Sequence, residues 1–178
     1  DKDDALSGIH SLKRSAADLL AGLPQRPPGF CVGCPERPVF SAMKVLEKES
    51  GKFHVSADIG CHLFSTLPPF NIGNTVLGYG LGLASNSAVH PAMAKRSVTI
   101  MGDGGFWHNG LTTGIANTVF NKNDGILVIM KNGYSSATGT QELPSSPQHS
   151  AVKEDISMER ALKGIGVPWM KTVHNYRV

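Results

Sequence analysis

Apolar positions first recur at helical spacing near the start of the chain, where Leu12, Ala16, Leu19 and Leu20 share one side of a segment that opens with acidic residues. The Pro-rich run Leu23-Pro24-Gln25-Arg26-Pro27-Pro28 ends it, and residues 1–28 are expected to be a connector from a preceding domain. From Gly29 onward the spacing alternates between helical and extended. A helix is expected over Pro38–Glu49, with Pro38 in its first turn and Val39, Ala42, Met43 and Leu46 on one face. Phe53–Ile59 reads as a strand, 60–74 as a loop, and the Gly/Ala-rich Leu77–Val89 as a closely packed helix. Ser97–Met101 and Gly125–Lys131 are strands of the buried type, with a helix over Trp107–Asn121 between them. A long polar loop over Tyr134–Ser150, a helix over Ser157–Gly164 and a last strand over Val167–Val178 complete the pattern. Such alternation predicts an α/β fold, a mostly parallel sheet with helices on both faces, in one domain over residues 29–178.

Composition narrows the classes. With 178 residues, 40% hydrophobic and 17% charged, the chain is neither disordered nor a charged coiled coil. The net charge of +3 comes from scattered basic residues, which argues against a nucleic-acid domain. The longest apolar runs, such as Ile126–Met130, are far too short to span a bilayer. Three cysteines make no disulfide framework, and with no signal-peptide pattern a soluble, cytoplasmic protein is expected. A start at Asp1 and an end inside the expected last strand suggest a piece of something larger.

The chemistry concentrates at Gly102-Asp103-Gly104-Gly105, at the end of one buried strand, and at Asn132, at the end of the next. In an open α/β sheet ligands bind beyond the carboxyl ends of the strands, and these two residues belong to one β-α-β unit, so they should lie side by side. The glycines let a diphosphate approach the backbone at the start of the following helix. An Asp carboxylate, an Asn amide oxygen and a backbone carbonyl are the hard oxygen ligands that Mg²⁺ prefers. A simpler alternative is a strand-to-helix turn in which Asp103 is only the N-cap.

Gly102-Asp103-Gly104, 27 residues and then Asn132 resemble the motif of thiamine-diphosphate enzymes, except that Lys131 stands where the family usually has a first asparagine. Cys31-Val32-Gly33-Cys34-Pro35, Asp58-Ile59-Gly60-Cys61, Leu67-Pro68-Pro69-Phe70 and Ala137-Thr138-Gly139 extend the resemblance to the 2-oxoacid:ferredoxin oxidoreductases. Among these the indolepyruvate ferredoxin oxidoreductases are most similar, with residues 102–141 like their large bacterial fused form, and the likeness runs over roughly residues 26–178. The resemblance implies the thiamine-diphosphate-binding fold, with Mg²⁺ held by Asp103, the Asn132 side chain and the Tyr134 carbonyl. It implies cofactor contacts from Cys34, Gly60, Cys61, Gly102, Gly104, Gly105, Ser135 and Thr138 as well. The implied reaction is oxidative decarboxylation of an aryl 2-oxoacid to an acyl-CoA, with coenzyme A and ferredoxin as partners and the cofactor ring as electron sink. Pyruvate, 2-oxoglutarate and phenylglyoxylate are alternative substrates, and a non-catalytic module is the alternative of another class. The carboxylate that activates the cofactor is expected on a partner pyrimidine-binding domain in a homodimeric parent protein. No catalytic residue is therefore assigned within these residues, and the isolated chain is expected to bind the cofactor weakly and turn nothing over.

Cys31, Cys34 and Cys61 form a thiolate set that suits a 4Fe-4S cluster, a zinc ion, or simply buried thiols beside the cofactor. In related pyruvate-type oxidoreductases, cysteines at matching positions supply three of four cluster ligands; here the fourth would come from His62, His54 or outside the chain. Gly78-Tyr79-Gly80-Leu81-Gly82 mimics a dinucleotide loop, but without a preceding strand or a third spaced glycine it reads as a packing segment. His108 is a helix-surface histidine or a residue facing substrate or diphosphate. No Gly-x-Ser-x-Gly or His-Glu-x-x-His pattern supports a hydrolase or metalloprotease.

Overall fold

A computed structural model describes residues 2–24, 26–146 and 156–176. Gln25, the last part of the expected loop (147–150) and the end of the expected last strand (177–178) lie outside the described residues. Helix α1 (Lys2–Leu20) buries none of its residues. Helix α2 (Arg37–Ser50) starts with Pro38 in its first turn and turns Phe40 and Met43 inward. Strand β1 (Val55–Ala57), a short 3₁₀ turn (Cys61–Thr66), strand β2 (Thr75–Val76) and helix α3 (Gly82–Val89) follow. Strand β3 (Val98–Gly102) runs directly into a helix made of α4 (Asp103–Gly105), a wide π segment (Phe106–Ile115) and α5 (Ala116–Phe120). Strand β4 (Ile126–Met130), the hairpin β5 (Tyr134–Ser135) and β6 (Gln141–Glu142), and helix α6 (Met158–Ile165) complete the order.

The main sheet is parallel throughout, in the order β2-β1-β3-β4. Each strand of a parallel sheet is covered on both faces, so its apolar residues split by parity. Val98 and Ile100 of β3 join Phe40, Met43 and Phe70 on the α2 side, with Val128 and Met130 of β4 against them. Met101 points the other way, to Leu83, Phe106, Ile115 and Met158, with Leu127 and Ile129 beside it. The expected α/β architecture with helices on both faces is the one observed.

Several elements differ from the sequence reading. The helix expected over Leu77–Val89 begins only at Gly82, and the loop expected over Tyr134–Ser150 carries the β5–β6 hairpin and a 3₁₀ turn (Ser136–Thr138). The strand expected over Val167–Val178 is absent from its described part, and 167–176 form neither helix nor strand. Its apolar residues Trp169, Val173 and Tyr176 are exposed, and Pro168 lacks the N–H a ladder needs. The 78–82 segment does follow a strand, because β2 is only two residues long and gives no alternation to read. The helix expected to begin at Trp107 begins at Asp103, which brings its first turn to the strand end.

Candidate cofactor site

β3 and β4 are paired so that Gly102 lies opposite Met130, and the two strands end level. Asp103 and Asn132 therefore meet at one sheet edge. The Asp103 carboxylate is buried, and its Oδ2 accepts the backbone N–H groups of Asn132 at 3.0 Å and Gly133 at 2.7 Å. Its Oδ1 accepts the Gly104 N–H at 3.0 Å. Asp103 is not the N-cap; Gly102 holds that place in extended conformation, and the acid sits in the first helical turn. Asn132 is exposed, its Oδ1 accepting the Tyr134 N–H at 3.1 Å and its Nδ2 donating to Ser136.

These oxygens fit a hard divalent cation. Each carboxylate or amide oxygen has two lone pairs, and one remains open on Asp103 Oδ1 and on Asn132 Oδ1. The Tyr134 carbonyl lies on the same turn, at the start of β5. Close approach is built into the helix start: a Cβ on Gly104 would meet the Tyr79 hydroxyl at 2.2 Å and Ser135 Oγ at 3.1 Å. The expected contacts Gly102, Asp103, Gly104, Gly105, Asn132, Tyr134, Ser135 and Thr138 thus come from one strand end, one helix start and the hairpin facing it.

Gly60 and Cys61 reach the same edge through the turn after β1, where the His62 ring lies against Gly60 and Gly102. Cys34 and Cys61 are half-buried and Cys31 is exposed, all as free thiols. Burial, foremost, pushes the Cys34 and Cys61 thiols up, and the Glu36 carboxylate acts in the same direction on both. Among the described residues no group of three or more His, Cys, Asp or Glu is placed to hold a metal ion. His54 is engaged with Thr75 and Ser56 on β2 and β1.

Two buried acids at this edge, Glu36 and Asp58, escaped the sequence reading as site residues, and His62 entered it only as a possible fourth cluster ligand. Among the described residues Glu36 Oε2, Asp58 Oδ2 and His62 Nε2 have no hydrogen-bond partner. Burial and then the Asp103 charge push the Glu36 carboxyl up to about 7. Burial pushes Asp58 up to about 6 although backbone N–H groups of Ile59, Gly80 and Gly82 oppose it. His62 is held down to about 4, again by burial. Asp103 itself is raised by burial against the amides of Gly133, Asn132 and Gly104. Glu36 is silent in sequence because an acid beside a Pro-started helix reads as a solvent-exposed cap. Its burial depends on the distant β3 edge.

The 78–82 segment packs as expected and also does more. Asp58 Oδ1 accepts the Gly80 N–H at 2.7 Å, and a Cβ on Gly80 would meet Gly105 O and Gly110 N at 2.7 and 2.8 Å. Between them Tyr79 reaches Ser135 Oγ at 2.8 Å, with its ring against His108 at 4.8 Å. His108 is thus a solvent-accessible helix residue that also lines a cavity of about 290 Å³ with Tyr79, Gly104, Trp107, Ser135 and Thr138.

A parallel sheet with an acid at the end of one strand, paired with the turn after the next, places the chain among the α/β proteins that bind a ligand at the strand ends. Residues 58–177 match the family described as "Thiamine pyrophosphate enzyme, C-terminal TPP binding domain", and the chain belongs to that family. It is similar to indolepyruvate oxidoreductase subunit IorA of Methanothermobacter thermautotrophicus, 30% identical over 95% of this chain and 28% of the relative. The subunit of the same name from Thermococcus kodakarensis is 30% identical over 88% of this chain and 26% of its own length. The chain thus spans little more than a quarter of these relatives. In structure it resembles a 2-oxoglutarate:ferredoxin oxidoreductase from Magnetococcus marinus with a TM-score of 0.54 and 25% identity, over 69% of this chain and 43% of the other.

Proposed function

We propose that the chain is the thiamine-diphosphate and Mg²⁺-binding domain of a 2-oxoacid:ferredoxin oxidoreductase that oxidises an aryl 2-oxoacid, indolepyruvate, to an acyl-CoA. The observation that carries this reading is the bridge from Asp103 at the end of β3 to the backbone of Asn132 and Gly133 beyond β4. That bridge aligns two hard oxygen ligands beside the first-turn amides of a helix. Bound there, the cofactor would supply the electron sink for decarboxylation. This chain's residues would hold it: Asp103, the Asn132 side chain and the Tyr134 carbonyl on the cation, and Gly104 and Gly105 on the diphosphate. Ser135 and Thr138 would order the facing hairpin, while Gly60, Cys61, Gly102 and Cys34 wall the inner side.

The indolepyruvate assignment draws on the names of the relatives at 30% identity. A 2-oxoglutarate enzyme is the second reading, favoured by the printed substrate of the structural neighbour. Residues 1–28 would connect this domain (29–178) to the rest of a cytoplasmic parent protein. There a pyrimidine-binding domain, in a homodimer, would supply the activating carboxylate, and the isolated chain would be inactive. A 4Fe-4S cluster on Cys31, Cys34 and Cys61 would need a rearranged 31–35 loop and a fourth ligand; iron and sulfide analysis of the full-length protein with and without Cys34→Ser tests it.

The deciding experiment is anaerobic viologen reduction by the full-length protein with indolepyruvate, phenylpyruvate, pyruvate and 2-oxoglutarate, each with and without coenzyme A. The expected result is a preference for the aryl acids that Asp103→Ala abolishes. A preference for 2-oxoglutarate would replace the substrate and keep the domain assignment. Absence of reduction with all four would overturn the oxidoreductase assignment.

A further inference from the structure

We propose that Tyr79 is a further binding residue of this site, its hydroxyl clamping the diphosphate against the Gly104 amide; the inference rests on the cofactor reading above. The Tyr79 oxygen stands over the helix start, so close that a Cβ on Gly104 would fall 2.2 Å from it. It is not there by chance of a flexible side chain. Asp58, fully buried, holds the Gly80 N–H at 2.7 Å, and Gly80 takes φ +80° pressed on the backbone of Gly105 and Gly110. The loop is thereby fixed to the helix it overlies, and the ring is braced a second time by His108.

The hydroxyl's partner is as telling as its place. Tyr79 meets Ser135 Oγ at 2.8 Å, Ser135 meets Thr138 Oγ1 at 3.0 Å, and Thr138 donates to Gln141 Oε1 at 2.5 Å. This chain of hydroxyls links the 78–82 segment to the β5–β6 hairpin across the cavity that Gly104 floors. Among the described residues the acceptor of the Gly104 N–H is the neighbouring Asp103 Oδ1, and an anion at the helix start can compete for that N–H. An anion held at that amide lies beside the Tyr79 O–H. The Tyr79 O–H can leave Ser135 for it, because a charged acceptor makes the stronger hydrogen bond.

Equilibrium titration of the cofactor-free full-length protein with thiamine diphosphate and Mg²⁺, read by calorimetry, tests the clamp. Tyr79→Phe keeps the ring against His108 and removes only the hydroxyl, and it should weaken binding about tenfold, as loss of one hydrogen bond to a charged group does. The same variant should leave the affinity for thiamine, which lacks the diphosphate, within twofold. Binding of thiamine diphosphate to Tyr79→Phe within twofold of wild type, while Asp103→Ala binds none, would overturn the clamp alone. A wild-type protein that binds no thiamine diphosphate would overturn the clamp together with the cofactor reading. An equal loss for thiamine and thiamine diphosphate would overturn the clamp in favour of a purely structural role.

Discussion

Asp103 joins the ends of two strands by accepting the Gly133 N–H at 2.7 Å, and the same oxygen takes the Asn132 N–H at 3.0 Å. One side chain therefore does structural work and, in the proposed reading, ligand work, and substitutions should separate the two. Asp103→Ala leaves three backbone amides, those of Gly104, Asn132 and Gly133, without their acceptor, at about 1–3 kcal/mol for each that is buried. Asp103→Asn keeps an oxygen for those amides but gives up the charge. Urea unfolding should show Asp103→Ala less stable by about 2–4 kcal/mol and Asp103→Asn by less than half of that. Calorimetry should show Mg²⁺-dependent cofactor binding lost in both.

Glu36 should make the cofactor-free protein less stable as pH rises. Its carboxyl holds its proton up to about 7 in the fold, against an ordinary value of 4.5, because it is buried and faces Asp103. The native state therefore binds a proton that the unfolded chain releases across that window. The stabilisation is full below pH 4.5 and is lost as pH rises through 7, by roughly 3 kcal/mol at most. Asp58 acts in the same direction between 3.8 and about 6. His62, held to about 4, acts in the opposite direction, favouring the fold more as pH rises from 4 to 6.5. Unfolding in EDTA should find Glu36→Gln level with wild type near pH 4.5 and more stable at pH 8. A wild-type–variant difference that does not change with pH would contradict this.

Gly80 should tolerate no side chain. Its φ of +80° disfavours L residues, and a Cβ would meet backbone atoms of Gly105 and Gly110, which have no rotamer to yield. Gly80→Ala should cost about 2–4 kcal/mol and move the helix start, so chemical unfolding and cofactor titration should fail together. Gly139→Ala, with open space around its Cβ apart from Gln141, should cost less despite its φ of +112°.

The three thiols should react in an order set by exposure. Cys31 is exposed, while burial pushes the half-buried Cys34 and Cys61 thiols up and leaves little thiolate at neutral pH. Alkylation with iodoacetamide at pH 7.5, followed by peptide mass spectrometry, should label Cys31 first. Equal rates at all three would show that the 31–35 loop opens in solution.

The sequence by itself determined strands β3 and β4 and the β-α-β unit they form. Ser97–Met101 and Gly125–Lys131 are apolar runs of strand length bounded by glycine and polar residues, and they formed β3, shifted one residue onward, and β4, one residue shorter at each end. Asp103 and Asn132 were legible because a β-α-β unit must bring successive strand ends together, whatever surrounds it. What the tertiary structure alone decided is which distant groups close on that edge. Glu36 is buried by an approach of the 31–37 segment to β3, and Tyr79 is carried over Gly104 by an Asp58–Gly80 hydrogen bond spanning 22 residues. The tail 167–176 shows the converse, since apolar residues of strand type stayed irregular and Trp169, Val173 and Tyr176 stayed exposed. Local periodicity reports which face a residue turns to its own element's neighbours. Only packing fixes which loops meet, because the contacts that hold them are between residues far apart in the chain.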